Sequence, residues 1–283
     1  MEYLMTYGWA ILVIAVVLGV LYSLGIFNPS NFAPKAQPGS CQVLRPNGPG
    51  TSYDLNLEGE CGGELPQYVA NFSGRSSISD INNSGMNPTN GTISVWYEGT
   101  GSGRQFIWSM GNDGAANDFD LIATGGGSGS VIFYFRVFSD ADVQYNTNVK
   151  VNPFSPTTFY NVVARWNSSN SLSIYLNGIR ISSAANVVYP AFFGCLGKIG
   201  GTCNGQGLIA DLANVQEYNA SLSASEIHDI YSEGIGGAPI RLQNLIAWYP
   251  LNGNANDYSG NNNGGMPANV EYAGSWTGSY APP

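Results

Sequence analysis

Few side chains in this sequence could make or break bonds. The single histidine, His228, lies in the stretch 223–231, and no serine stands in a G-x-S-x-G elbow that it could serve. A solvated helix position is the expectation for it. Metal-type oxygens are commoner. The loop 252–263 offers Asp257, its one carboxylate, with Asn261 and Asn263, the oxygen set that calcium uses. Calcium usually takes more than one carboxylate, and the same Asx side chains also cap turns, so both readings stay open. A second loop, from Asn112 and Asp113 to Asn117, Asp118 and Asp120, carries three Asp and is a similar candidate. Exposed aromatics can stack on sugar rings. Trp96, Trp108, Trp166 and Trp248 lie in strand-like runs and are expected in the core. Trp276 and Tyr280 lie in a Gly/Ser-rich tail, expected to have little structure and to leave them exposed.

Four cysteines occur, Cys41 with Cys61 and Cys195 with Cys203 close in sequence, none in C-x-x-C spacing, so a zinc site is not indicated. An even count points to oxidising surroundings and two local disulfides, with the two other pairings left open. A bridge from Cys41 to Cys61 would be worth about 3 kcal/mol as lost chain entropy. Asn71, Asn82, Asn90, Asn167 and Asn219 each begin an N-x-S/T glycosylation sequon, all after the first thirty residues.

The elements that must position these groups fall into three parts: a hydrophobic helix over 1–27, a Pro/Gly-rich connector over 28–66, and a β-rich head over 67–283. The chain has 283 residues, of which 10% are charged, against about 25% in an average soluble domain. Its net charge is -9 and its basic residues are scattered singly, which excludes a phosphate-backbone footprint and hence nucleic acid as a partner. From Tyr3 to Phe27 no residue is charged. As a helix, about 24 residues at 1.5 Å rise reach about 36 Å, enough for a bilayer core of about 30 Å. Asn28-Pro29 stops it. A secretory signal peptide would have a basic start and a shorter apolar core; here Glu2 is the only charge. Ala15, Gly19 and Ser23 recur every four residues and would let a second helix approach along one face, or are ordinary small residues of a lone span. Glu2, at the start of an apolar helix, wants a cationic partner or a place among lipid headgroups.

The stretch Met1-Glu2-Tyr3-Leu4-Met5-Thr6-Tyr7-Gly8-Trp9-Ala10-Ile11-Leu12-Val13-Ile14 resembles the amino-terminal helix of archaeal type IV pilins. In that family a prepilin peptidase trims the chain, and assembly machinery moves the apolar helices from the membrane into the core of a filament. The family's acidic residue stands near the fifth mature position, whereas Glu2 is second here. The resemblance implies identical subunits as partners and an extracellular filament as the location.

Beyond residue 66 short runs rich in Val, Ile, Phe, Tyr and Trp alternate with Gly, Asn and Ser: TISVWYE, RQFIWSM, FDLIAT, SVIFYFRVF, FYNVVARW and SLSIYLNG. These read as strands. Asn177-Gly178 predicts a two-residue hairpin. Ser223 and Glu226 have capping-box spacing for a short helix that Gly234 can end. In SVIFYFRVF both faces are mostly apolar, which predicts a central strand covered on both sides. The fold class is therefore mainly β, a long hydrophobic helix followed by a β-sandwich jelly roll.

Four segments, TISVWYE, FYNVVARWNSSNSLSIYLNGIRI, GLIADLANVQEYNASLSASEIHDIY and LIAWYPLNGNANDYSGNNNGG, resemble the laminin-G-like, concanavalin-A-like jelly roll. The last of these opens the domain in most members and closes it here. That order implies either a circular permutation or a second repeat truncated after its first strand, the latter exposing Trp248 and Leu251. Glycosidases of this fold present E-x-D-x-x-E from one strand, and that spacing is absent, so no catalysis is expected. The combined expectation is a filament subunit displaying a β-rich, glycosylated head for adhesion to glycans or cell surfaces. The alternative is a membrane-anchored carbohydrate-binding protein that never polymerises.

Overall fold

The computed structural model of the chain describes residues 13–17, 66–81, 85–111, 114–127, 129–273, 276 and 280. Residues 13–17 are helical, and Val13, Ile14, Val16 and Val17 are exposed, as is Ala15. Among the described residues no helix is long and apolar enough to cross a membrane. Glu2, Gly19, Ser23 and the Cys41 and Cys61 pair lie outside the described residues.

The strands all lie in the unit that contains Gly62–Pro283. They form two antiparallel sheets, a β-sandwich. Seven strands run in the spatial order β14 (Met266–Ala268), β2 (Ser77–Ile81), β11 (Gly197–Ile199), β4 (Arg104–Ser109), β5 (Phe119–Gly125), β6 (Val131–Phe138) and β7 (Gln144–Val151). The other sheet runs β10 (Ile179–Ala184), β9 (Ser171–Leu176), β8 (Tyr160–Asn167), β3 (Gly91–Gly99), β12 (Ile209–Tyr218), β1 (Val69–Ser73) and β15 (Glu271–Ala273), with β13 (Leu245–Tyr249) also on β12. The β9–β10 turn is Asn177-Gly178, with φ of 48° and 74°, the positive pair that only such residues adopt cheaply.

Alternation decides what is buried between the sheets. Phe119, Leu121 and Ala123 of β5 and Phe133, Phe135 and Val137 of β6 face Ile93, Val95, Val162, Ile174 and Leu212 of the opposite sheet. Trp166 sits among Trp108, Phe119 and Phe135, with ring centroids 5.5 to 6.4 Å away. Gly91 is required beneath it, because a Cβ there would stand 2.2 Å from the indole. Glu217 is fully buried in this layer and accepts the Trp108 indole N–H at 2.9 Å. Loss of hydration pushes its carboxyl up to about 8, so it is held protonated at neutral pH.

The eight-stranded sheet also has its outer face covered. The helix Ala224–Ser232 is closed by a Ser223/Glu226 capping box and buries Ile227 and Ile230 against Val163, Tyr175, Tyr218, Leu245 and Trp248. Beside it, Val69, Trp96, Phe159, Ala213, Ile235 and Trp276 form a second apolar layer, closed by Tyr231 and Tyr280. Trp276 is thus only 4% exposed, which corrects the expectation of an exposed tail. Its indole packs edge-on against Phe159, and Tyr280 packs edge-on against Trp96. Burial of one large ring outweighs the turn-forming bias of its Gly and Ser neighbours. Trp248 and Leu251 are buried too, at 4% and 1%, where a truncated repeat would expose them. β13 lies on the same side of β12 as β1, pairing Val215 with Tyr249 while β1 pairs Leu212 with Ala70.

A second correction concerns SVIFYFRVF. Strand β6 is next to the edge strand β7, and its outward Ile132 and Tyr134 are half-exposed. The outer face of this sheet therefore reaches solvent at Arg104, Thr124, Ile132, Tyr134 and along β7, while Phe106, Ile122, Arg136 and Phe138 stay buried.

Candidate functional site

That open face carries a groove of about 360 Å³ lined by Arg104, Ile122, Thr124, Gly125, Tyr134, Arg136, Gln144 and Asn146. Its size falls at the small end of ligand sites. Period-2 alternation puts these residues on one face: 122 and 124 from β5, 134 and 136 from β6, 144 and 146 from β7. Register then sets them side by side. Thr124 faces Arg104 and Ile132, Tyr134 faces Ile122 and Asn148, and Arg136 faces Asp120 and Asn146.

Arg136 is held rigidly. Its Nε donates to Asp120 Oδ2 at 2.8 Å, and a terminal nitrogen lies 2.6 Å from the same oxygen. The guanidinium carbon stands 5.7 Å from the Phe106 ring centroid and 5.2 Å from that of Phe138. Asp118 lies 3.8 Å from Arg136 and accepts the Gly114 N–H at 2.8 Å. Burial, reinforced by the neighbouring Asp120 charge, pushes Asp118 up to about 8. Burial also raises Asp120, and the Arg136 charge opposes it. Both carboxyls are thus pushed toward the protonated form, and the Arg136 guanidinium holds Asp120 back from it. A guanidinium stacked between rings and held by two of its nitrogens on one carboxylate oxygen is a preorganised group, and Tyr134 lies beside it in the groove lining.

The sequence-derived candidates are elsewhere. Asp257 accepts four hydrogen bonds, from the amides of Trp248, Ser259 and Asn263 and from the Ser259 hydroxyl, at 2.8 to 2.9 Å. Asn261 Nδ2 donates to the carbonyls of Leu245 and Ile246, and Asn263 Nδ2 to that of Ile246. This is the geometry of turn capping, and it locks the loop onto β13. In the second Asp loop, Asp113 lies outside the described residues, and Asp118 and Asp120 face Arg136. Among the described residues no group of three or more His, Cys, Asp or Glu is placed to hold a metal ion. His228 is exposed on the helix, as expected.

Cys195 and Cys203 are disulfide-bonded, which points to an oxidising compartment. Of the sequon residues, Asn71, Asn90, Asn167 and Asn219 are half-buried, and Asn82 lies outside the described residues. The Asn71 amide nitrogen, where a glycan would attach, donates to Asp211 at 2.6 Å.

Sequence reasoning missed the groove. The available signal was the alternation of QYNTNVKV with polar residues at 144, 146, 148 and 150, together with a lone Arg at the outward position of an otherwise apolar strand.

No curated protein sequence matches the chain. Among solved structures it is similar to a candidate carbohydrate-binding protein from Bacteroides ovatus, at 14% identity over 74% of this chain and 60% of that one, with a TM-score of 0.55. It is also similar to the enzymatically active domain of tailspike protein 2 from bacteriophage CBA120, at 14% identity, 67% and 32% coverage, and a TM-score of 0.51. Full-length tailspike protein 2 from the Escherichia coli O157:H7 bacteriophage CAB120 gives 15% identity, 67% and 29% coverage, and 0.52. The chain thus spans less than two thirds of each of these proteins, and the likeness is one of fold. Residues 73–228 match the family model of the concanavalin A-like lectins and glucanases, the two packed sheets are that family's sandwich, and the chain belongs to this superfamily.

Proposed function

We propose that the sandwich binds a glycan in the groove over β4–β7, and that the amino-terminal segment assembles identical subunits into an extracellular filament that displays this head for adhesion. The observation that carries the glycan reading is the groove itself. It combines the Tyr134 ring face, the side-chain amides of Gln144 and Asn146, the Thr124 hydroxyl and the Arg136 guanidinium, which together offer a stacking surface and directional partners for ring hydroxyls. Membership of a superfamily that includes lectins supports it, and the Bacteroides ovatus protein, a candidate carbohydrate binder, has the same fold. The proposed role is recognition without catalysis.

The filament reading rests on the resemblance of residues 1–14 to archaeal pilins. It is supported by the described helical stretch 13–17, whose valines and isoleucine are exposed and need lipid or other helices around them. Processing by a prepilin peptidase would precede assembly. The Cys195–Cys203 disulfide suits a location outside the cell.

A glycan array probed with the full chain in mild detergent tests the first part. Retention of a defined glycan that is lost in Tyr134→Ala is expected; an array with no retained glycan would overturn it. Electron microscopy of sheared cell-surface material tests the second. Filaments are expected from the wild type and none from Gly19→Leu, with the head still folded. Single molecules in micelles under every condition would instead favour the membrane-anchored lectin.

A further inference from the structure

The outward charges of β4–β7 are unlike those of the chain as a whole. The protein carries 10 Lys and Arg against 19 Asp and Glu. Yet the outward positions of these four strands hold Arg104, Arg136 and Lys150 against Asp120 alone, and the groove lining contains two arginines and no carboxylate. Asp120 is fully buried beneath Arg136, which is itself only 6% exposed, so the charges that a ligand meets are those of exposed Arg104 and Lys150 and the part of Arg136 that lines the groove. Burial raises Asp118 toward its uncharged form, which lessens the negative charge below Arg136.

The layout gives this charge a direction. Strand register sets Arg104, Thr124, Ile132 and Lys150 in one row across the sheet. The next row in the same facing is Phe106, Ile122, Tyr134 and Asn148, and the next is Asp120, Arg136 and Asn146. Arg104 and Arg136 are two strands and two rows apart, roughly 17 Å between backbone positions at ordinary sheet spacings, with Ile122 and Tyr134 between them. A short oligosaccharide lying diagonally over Tyr134 would meet a guanidinium toward each end. Guanidinium forks pair with carboxylate and sulfate oxygens more strongly than with hydroxyls.

Resting on the glycan-binding reading above, we infer that the groove selects acidic glycans, with Arg104 and Arg136 receiving anionic groups on sugars that cross Tyr134. Arg104 is the discriminating residue to alter, because it is exposed and its loss spares the packed core, whereas Arg136 is built into the fold.

The test measures binding of the full chain in nonionic detergent to four matched probes: an oligogalacturonate, its methyl ester, a sulfated galactan oligosaccharide and the neutral galactan. The expected result is at least tenfold tighter binding of one or both anionic probes than of their neutral counterparts, weakening steeply as salt rises. In Arg104→Gln the ratio of acid to ester falls toward one, and in Arg104→Glu it inverts. Preference for the galacturonate alone identifies a carboxylate ligand, and preference for the sulfated probe alone a sulfate ester. Equal binding of acid and ester, abolished by Tyr134→Ala, would overturn the charge selectivity and leave the glycan site standing. Absence of binding to all four probes, together with an array on which no neutral or acidic glycan is retained, would overturn both.

Discussion

The two outer faces of the sandwich end differently. Over the eight-stranded sheet, the helix Ala224–Ser232, Ile235, Trp276 and Tyr280 lay a second apolar layer on Trp96, Tyr218 and Trp248. Over β4–β7 of the seven-stranded sheet, Tyr134, Gln144, Asn146 and Arg104 meet solvent around a groove. Both faces contain buried aromatics. The difference is that Trp96 and Trp248 are packed by other apolar side chains, whereas Phe106 and Phe138 are packed by a guanidinium. One face is finished as core and the other as a surface that stays ordered while wet, which is what a recognition face needs.

Substitutions should separate the two. Trp248→Ala removes an indole packed on Tyr258 and bonded to Asn214 at 2.7 Å, and should cost about 3–5 kcal/mol, read as a large fall in Tm. Glu217→Gln tests the layer that both faces share. Its folded-state pKa is raised from 4.5 to about 8, so the unfolded chain releases this proton first, and stability falls as pH rises from 4.5 to 8. The glutamine variant, which keeps an acceptor for Trp108, should gain on the wild type across that window, by on the order of 4 kcal/mol at its upper end. Denaturant melts at pH 4 and pH 8 check this; equal differences at the two pH values would contradict it.

Tyr134→Ala inverts the pattern of the tryptophan. It should weaken glycan binding at least tenfold while changing stability by about 1 kcal/mol or less, since the ring is half-exposed. A fall in Tm like that of Trp248→Ala would mean that the open face is structural after all. The smallest effect is expected from metal removal. With Asp257 already accepting four protein donors, a chelator should leave Tm within about a degree, and a shift of several degrees would give calcium a role in that loop.

Much of the sandwich was legible in the sequence because its signals are local. Strong β-formers in β3, β5, β6, β8 and β9, the Asn177-Gly178 turn and the Ser223/Glu226 box each depend on a few neighbouring residues. The groove was not, because it exists only after four strands are set in register. Strand β7, QYNTNVKV, is rich in weak β-formers and is held by eight pairings with β6, from Val131–Val151 to Phe138–Gln144. The apolar look of β6 hid that one of its faces is open, since half-exposed Ile132 and Tyr134 read as core residues. Trp276 was misjudged for the same reason in reverse, its partners Phe159 and Tyr280 being visible only in the folded chain.

Mapping the backbone amide shifts of the full chain on addition of the tightest glycan from the array tests the account most directly. Perturbations concentrated at Thr124, Tyr134, Arg136 and Asn146, with the helix Ala224–Ser232 unaffected, are predicted. Perturbations confined to that helix or to the loop 252–263, with β5–β7 silent, would contradict it.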